Sequence, residues 1–151
     1  MKAWIVMIMS VCALSLSSQN SKVAELIKGL DNSQFVINHN EKAKFEVKSA
    51  PANKLIRKGK KASAQLIAAL DNPDKVIMAH YALCHIYFKH VSFAGPKIVS
   101  DGEADIYKYF LGQEKGEGLI ISEAKKGGNY RMYVEDKDVQ KIKEYWKKRN
   151  A

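Results

Sequence analysis

The sequence predicts an α+β domain: an N-terminal helix and β-hairpin, a helix pair, then a three-stranded antiparallel sheet closed by a last helix. Three observations predict it. Apolar residues recur at three- and four-residue spacing in most of the first 90 residues and alternate in the last third. A length of 151 residues, with 46% hydrophobic and 27% charged residues, is that of one globular domain. The 3 Pro and 9 Gly exclude a collagen-like or Pro-rich linker protein.

The first segment reads as an address. In MKAWIVMIMSVCALSLSSQN, Lys2 precedes an apolar run from Ala3 to Leu16, followed by Ser17, Ser18, Gln19 and Asn20. A charged start, a short apolar stretch and a small-residue exit predict a signal peptide over residues 1–17, with a single domain over 18–151. The run falls short of the ~20 apolar residues of a spanning helix, so no integral span is expected in the mature chain. Ser15 and Ser17 sit where a signal peptidase reads, which places cleavage after Ser17, with cleavage after Ser18 as the neighbouring option. Lipidation at Cys12 is the lesser alternative, because Val11 is bulky for a lipobox. The expected location is periplasmic or secreted. Only Cys84 survives removal of the leader, so no intrachain disulfide is expected and the core alone must hold the fold.

Ser21–Leu30 places Val23, Leu26, Ile27 and Leu30 at helical spacing, with Asp31-Asn32-Ser33 as the stop. Phe35 and Ile37 then alternate with polar neighbours, His39–Lys42 is turn-like, and Phe45 and Val47 alternate again, which predicts a hairpin. Pro51 opens a helix carrying Leu55, Ile56, Ala62, Leu66, Ile67 and Leu70, with a break expected at Gly59, where a helix interior loses about 1 kcal/mol. Asp71-Asn72-Pro73-Asp74 is the turn into KVIMAHYALCHIYFKH, apolar over more than half its circumference and so expected to be largely buried. Residues 53–90 resemble a single HEAT-like repeat, through Gly59, Ala62, Leu66, Ile67 and Leu70, the Asp71–Asp74 turn, and Ala79, Ala82, Leu83 and Ile86. No second copy follows, so the resemblance implies one antiparallel helix pair rather than a solenoid.

Ala94–Asp105, with Gly95-Pro96 and Asp101-Gly102, reads as a mobile loop. Ile106–Leu111, Gly118–Ala124 and Tyr130–Glu135 read as strands, with Lys125–Asn129 as a tight turn. The last helix has Asp136 as N-cap and Val139, Ile142 and Trp146 on one face.

Candidate functional residues fall into three groups. Lys54, Arg57, Lys58 and Lys61, at i, i+3, i+4 and i+7, form a basic stripe that could meet an acidic protein, an anionic ligand or a glycan. Tyr107, Tyr109 and Tyr133 are the best candidates for an exposed aromatic binding face. His80 and Cys84, one helical turn apart, are the weak alternative for a metal or thiol site, with His85 pointing about 100° away. The buried-core reading of Cys84 is the simpler one. Glu103, Asp105, Glu114, Glu117 and Glu123 are scattered, and no acid–base pairing can be inferred from them.

No G-x-S-x-G, H-E-x-x-H, Walker loop or G-x-G-x-x-G is present, nor any nucleic-acid-binding motif, despite a net charge of +9. The expectation is therefore an exported, non-enzymatic binding protein with no cofactor and no nucleic-acid partner. Its partner would be an acidic protein or a glycan. A narrower form is an inhibitor or immunity protein against a toxin or cell-wall hydrolase. The competing class is a metal- or thiol-dependent enzyme built on His80, Cys84 and His85.

Overall fold

The computed structural model describes residues 17–39, 43–100, 102, 104–113, 117–126 and 128–151. The leader expected over residues 1–17 lies outside the described residues up to residue 16, as do residues 40–42 of the hairpin turn. The described chain is α+β. Helix α1 covers residues 17–28, so it begins at least four residues before the expected Ser21. A 3₁₀ turn, Asn32–Gln34, leads into the hairpin of β1 (Phe35–Asn38) and β2 (Lys44–Val47). Helices α2 (Ala50–Lys58), α3 (Ser63–Ala69) and α4 (Val76–Phe88) follow. Strands β3 (Ser92–Ser100), β4 (Asp105–Gly112), β5 (Leu119–Lys126) and β6 (Asn129–Tyr133) precede α5 (Asp136–Asn150).

Local chemistry accounts for the helix boundaries. The Ser49 hydroxyl accepts from Ala52 N at 3.1 Å, with Pro51 in the first turn where its missing N–H costs nothing. Gly59, at φ +65°, ends α2, and a 3₁₀ turn over Gly59–Ala62 carries the chain into α3. The N-terminus of α4 is capped from a distant part of the chain: Asn32 Oδ1 accepts from Ile77 N at 3.0 Å while its Nδ2 donates to Pro73 O at 2.7 Å. Lys75 answers by donating to the carbonyls of Lys28 and Leu30, closing the end of α1. At the other end, α5 begins one residue beyond Glu135, which takes the N-cap position expected for Asp136.

The sheet is four-stranded, in the order β3-β4-β5-β6 and antiparallel throughout, which corrects the expectation of three strands and of a loop over Ala94–Asp105. Pro96 cannot donate to a ladder, and proline is tolerated in sheets on edge strands and at bulges. β3 supplies both conditions. It is the edge strand, and its register with β4 shifts between Ala94 and Lys97, just where Gly95-Pro96 lies. The turn expected over Lys125–Asn129 is correspondingly shorter, since Lys125 and Lys126 belong to β5 and Asn129 to β6.

One face of the sheet carries Phe93, Tyr109, Leu111, Leu119 and Ile121 into the core, against α4 and the hairpin. At the end of β4 a Cβ on Gly112 would lie 2.7 Å from Gly118 Cα, a backbone atom that cannot swing aside. Gly112→Ala is therefore expected to cost about 1–3 kcal/mol, the range for overpacking, as a lower urea midpoint at unchanged slope.

Candidate functional site

Helix α2 turns Ala52 and Leu55 into the core, which leaves Lys54, Arg57 and Lys58 on its outer side. That side does not face open solvent alone. Together with α1 it walls a groove of about 510 Å³, lined by Ser21, Lys22, Glu25, Leu26, Lys54, Arg57 and Lys58. A second hollow of about 470 Å³ shares Arg57 and Lys58 and adds Lys61 with Gln19, Asn20 and Val23. The stripe is thus not one helical row as its spacing suggests, because Gly59 ends the helix before Lys61. The 3₁₀ turn nevertheless leaves Lys61 in a hollow beside Arg57 and Lys58.

The groove is electrostatically one-sided. Among the described residues that line it, the only acid, Glu25, is paired with Lys28 at 2.7 Å on the same helix. Among the described residues, no acid pairs with Lys22, Lys54, Arg57, Lys58 or Lys61. Elsewhere lysines do find carboxylates, as Lys108 and Lys137 find Glu135 and as Lys143 finds Asp71. The apolar contribution to the groove comes from Leu26 and from the methylene stems of the lysines.

His80 and Cys84 lie in the interior. Trp146 Nε1, which can only donate, reaches His80 Nδ1 at 3.0 Å, so the imidazole proton sits on Nε2 and is donated to Leu111 O at 2.9 Å. Both ring nitrogens are engaged, and Cys84 Sγ is 3.4 Å from Nε2. Burial pulls the His80 pKa down to about 4, despite the opposing hydrogen bond to Leu111. Burial, with the nearby Glu117 second, pushes the Cys84 thiol well above its ordinary range, away from thiolate chemistry. His85 does not join the pair; it packs beside the Tyr81 ring at 4.5 Å. Among the described residues no three His, Cys, Asp or Glu side chains are grouped to hold a metal ion.

The tyrosines do not form one exposed row. Tyr109 is 1% exposed, buried against the Phe93 ring at 5.4 Å. Tyr107 shares its face of β4, whereas Tyr133 pairs with Ser122, which pairs with Lys108, and so lies on the opposite face. Alternation separates the two faces of a strand, but does not say which is covered or whether two strands agree.

Two acids that looked scattered are buried: Glu117 is 1% and Glu123 3% exposed. Tyr145 donates to Glu117 Oε2 at 2.6 Å. Glu123 lies beneath His39, at 3.5 Å between Oε2 and Nε2, and the His39 ring stacks on Tyr130 at 4.3 Å. A signal for Glu123 was present, since it continues the inward alternation of Leu119 and Ile121 by one step. Glu117 precedes Gly118 outside any alternating run, and no sequence pattern marks it.

Comparison of the chain with protein-family models, with curated proteins and with solved structures finds no match.

Proposed function

We propose that the protein is an exported, non-enzymatic binding module whose α1–α2 groove takes an acidic segment of another protein. One observation carries this reading: five cations gather at the groove and its adjoining hollow with no carboxylate partner among the described residues. Like charges gathered on one face raise the local positive potential, which favours the approach of an acidic surface. An acidic polypeptide answers both aspects of the groove, because its apolar side chains can lie on Leu26 while its carboxylates meet Lys54, Arg57 and Lys58. The reading as a binding protein is also supported by the interior pair. The nitrogens of His80 are spent on Leu111 and Trp146, and the Cys84 thiol is disfavoured as a thiolate, which weighs against a metal or thiol enzyme. The HEAT-like resemblance of residues 53–90 belongs to the same proposal, as a scaffold that presents the basic side of α2.

The test is fluorescence anisotropy with a labelled Glu-rich peptide at low and moderate salt. Changing Lys54, Arg57, Lys58 and Lys61 together to Ser is expected to weaken binding about fourfold or more, each exposed charge contact giving ~0.2–1 kcal/mol. A control variant with Lys147, Lys148 and Arg149 changed to Ser should bind as the parent does. Equal losses in both variants would reduce the effect to net charge and overturn the proposal. Binding of heparin but not of the peptide would replace the protein partner by a glycan.

A further inference from the structure

We infer that the outer face of the sheet carries a site for a small carboxylate with an apolar body, opened by the bulge in β3. At the bulge Gly95 and Pro96 together oppose the single residue Tyr109, between the pairs Ala94–Phe110 and Lys97–Lys108. Bulges recur beside functional sites, where they bend a strand away from its neighbour and re-aim side chains. This one borders a hollow of about 450 Å³, within the ~300–1,000 Å³ of small-ligand pockets. The register sets Phe110, Ile120, Lys97 and Lys108 on the face opposite to the Tyr109 side chain, away from the hairpin. The hollow shares no residue with the α1–α2 groove and stands independently of the proposal made for it.

The floor is apolar and fixed. Ala94, Phe110 and Ile120 form one row across β3, β4 and β5, and Phe110 and Ile120 are both only partly buried. A Cβ on Gly118 would lie 1.6 Å from the Phe110 ring, so the ring occupies the space that a side chain there would need. Ala94, exposed at the sheet edge, is too small to cover its two larger neighbours. Gly95 completes the wall with bare backbone. At its φ of +128° a Cβ would lie 2.8 Å from the Lys108 carbonyl oxygen.

The rim is one carboxylate short. Lys97, Lys108 and Lys137 stand round the hollow, and Asp138 is the one acid among the described residues that line it. Glu135, outside the lining, is divided between Lys108 at 2.7 Å and Lys137 at 2.6 Å. Burial, and then the negative charge of Glu135, raise the Asp138 pKa, while Lys137, Lys108 and Lys141 counter that rise. The three lysines of the lining thus share two carboxylates, and among the described residues no acid pairs with Lys97. Lys97 also lies directly opposite Lys108 on the same face, a like-charge pair that an anion beside it relieves. A ligand carboxylate at Lys97, with its apolar body on Phe110 and Ile120, answers both the rim and the floor.

The experiment is an NMR titration of the whole protein's amides with phenylacetate at about pH 7, beside its uncharged analogue phenylacetamide. Saturable shifts are expected at Gly95, Lys97, Phe110 and Ile120, with a roughly millimolar dissociation constant for so small a ligand. Phenylacetamide should bind about two- to fivefold more weakly, the worth of one exposed charge contact. Lys97→Gln should lose the same factor for phenylacetate and leave phenylacetamide unchanged. Ala94→Trp, which sets a ring in the hollow from an exposed edge position, should abolish the shifts, and Lys97→Gln serves if that variant does not fold. The variant with Lys54, Arg57, Lys58 and Lys61 changed to Ser should bind phenylacetate as the parent does, so the two sites are tested separately. Three results would each overturn the site: no saturable shift at the bulge, equal affinity for the acid and the amide, or parent-like binding by a folded Ala94→Trp.

Discussion

Lowering the pH from 7 to 4 is expected to remove about 3 kcal/mol of folding free energy through one side chain, His80. The imidazole is fully buried and its pKa falls from 6.5 to about 4 in the fold, burial outweighing the hydrogen bond to Leu111. Each pKa unit is worth about 1.4 kcal/mol, so the shift amounts to ~3 kcal/mol. Between these values the unfolded chain binds a proton that the folded one refuses, so stability rises with pH across the window. The contribution is complete above pH 6.5, is lost progressively as the pH falls towards 4, and does not change further below that. The refusal has a structural cause, because protonating Nδ1 would set a proton against the Trp146 N–H that now donates to it. Urea midpoints at pH 7, 5.5 and 4 measure the effect, with His80→Gln as the comparison. The glutamine amide can still donate to Leu111 O but does not titrate, so the variant should be less stable at pH 7 and show a flatter profile. Glu123, whose pKa is raised, acts in the opposite direction in the acid range, since there the folded chain binds its proton more readily. Glu135, held down to about 2 by Lys108 and Lys137, loses its contribution only as the pH falls below its ordinary value of 4.5. The difference between parent and His80→Gln isolates the histidine from both. An unchanged slope in the variant would mean that the buried imidazole is not the source.

Much of this architecture is legible in the sequence wherever one face is buried and the other is not. Phe35 and Ile37 alternate with Val36 and Asn38 because β1 has one buried face, and α4 reads as buried because apolar residues run around it. β3 is illegible for the same physical reason. As an edge strand exposed along nearly its whole length, it needs no alternation, and its Gly95-Pro96 imitates a loop. The basic stripe is readable as a set of residues but not as a groove, because the opposing wall comes from α1, and nothing in Lys54–Lys61 specifies what packs beside it. The tyrosines fail at a different step. Period two places Tyr107 and Tyr109 on one face, but only the packing of Phe93 and the hairpin decides that Tyr109 is inside. The His39–Glu123 contact is purely tertiary, joining the end of β1 to the middle of β5, and no local pattern could pair them.

Phe35→Ala is expected to be the most damaging single truncation in the hairpin, at about 3–5 kcal/mol, the cost of removing a buried aromatic ring. A two-stranded hairpin is marginal on its own, so this one must borrow stability from the surface on which it lies. Phe35 is the main point of contact. It is fully buried, stacks on Phe45 at 4.9 Å and meets Phe93 at 6.0 Å, and Phe93 in turn lies parallel to Tyr109 at 5.4 Å. The four rings connect both strands of the hairpin to β3 and β4. Deleting Phe35 leaves a cavity between two sheets, and the neighbouring rings are too rigid to collapse into it. Val36, next in sequence but 40% exposed on the opposite face, has no such role, and Val36→Ala should stay within about 0.5 kcal/mol of the parent. Phe35→Ala combined with Phe45→Ala should cost less than the sum of the two single changes, because the stacked pair is lost only once. Equilibrium unfolding of these variants separates two views of the hairpin. If the aromatic cluster holds it, Phe35→Ala lowers global stability far more than His39→Gln does. If the His39 contacts held the whole hairpin instead, the two substitutions would cost the same, and that result would move the anchor from the ring cluster to the contacts of His39 with Glu123, Tyr109 and Tyr130.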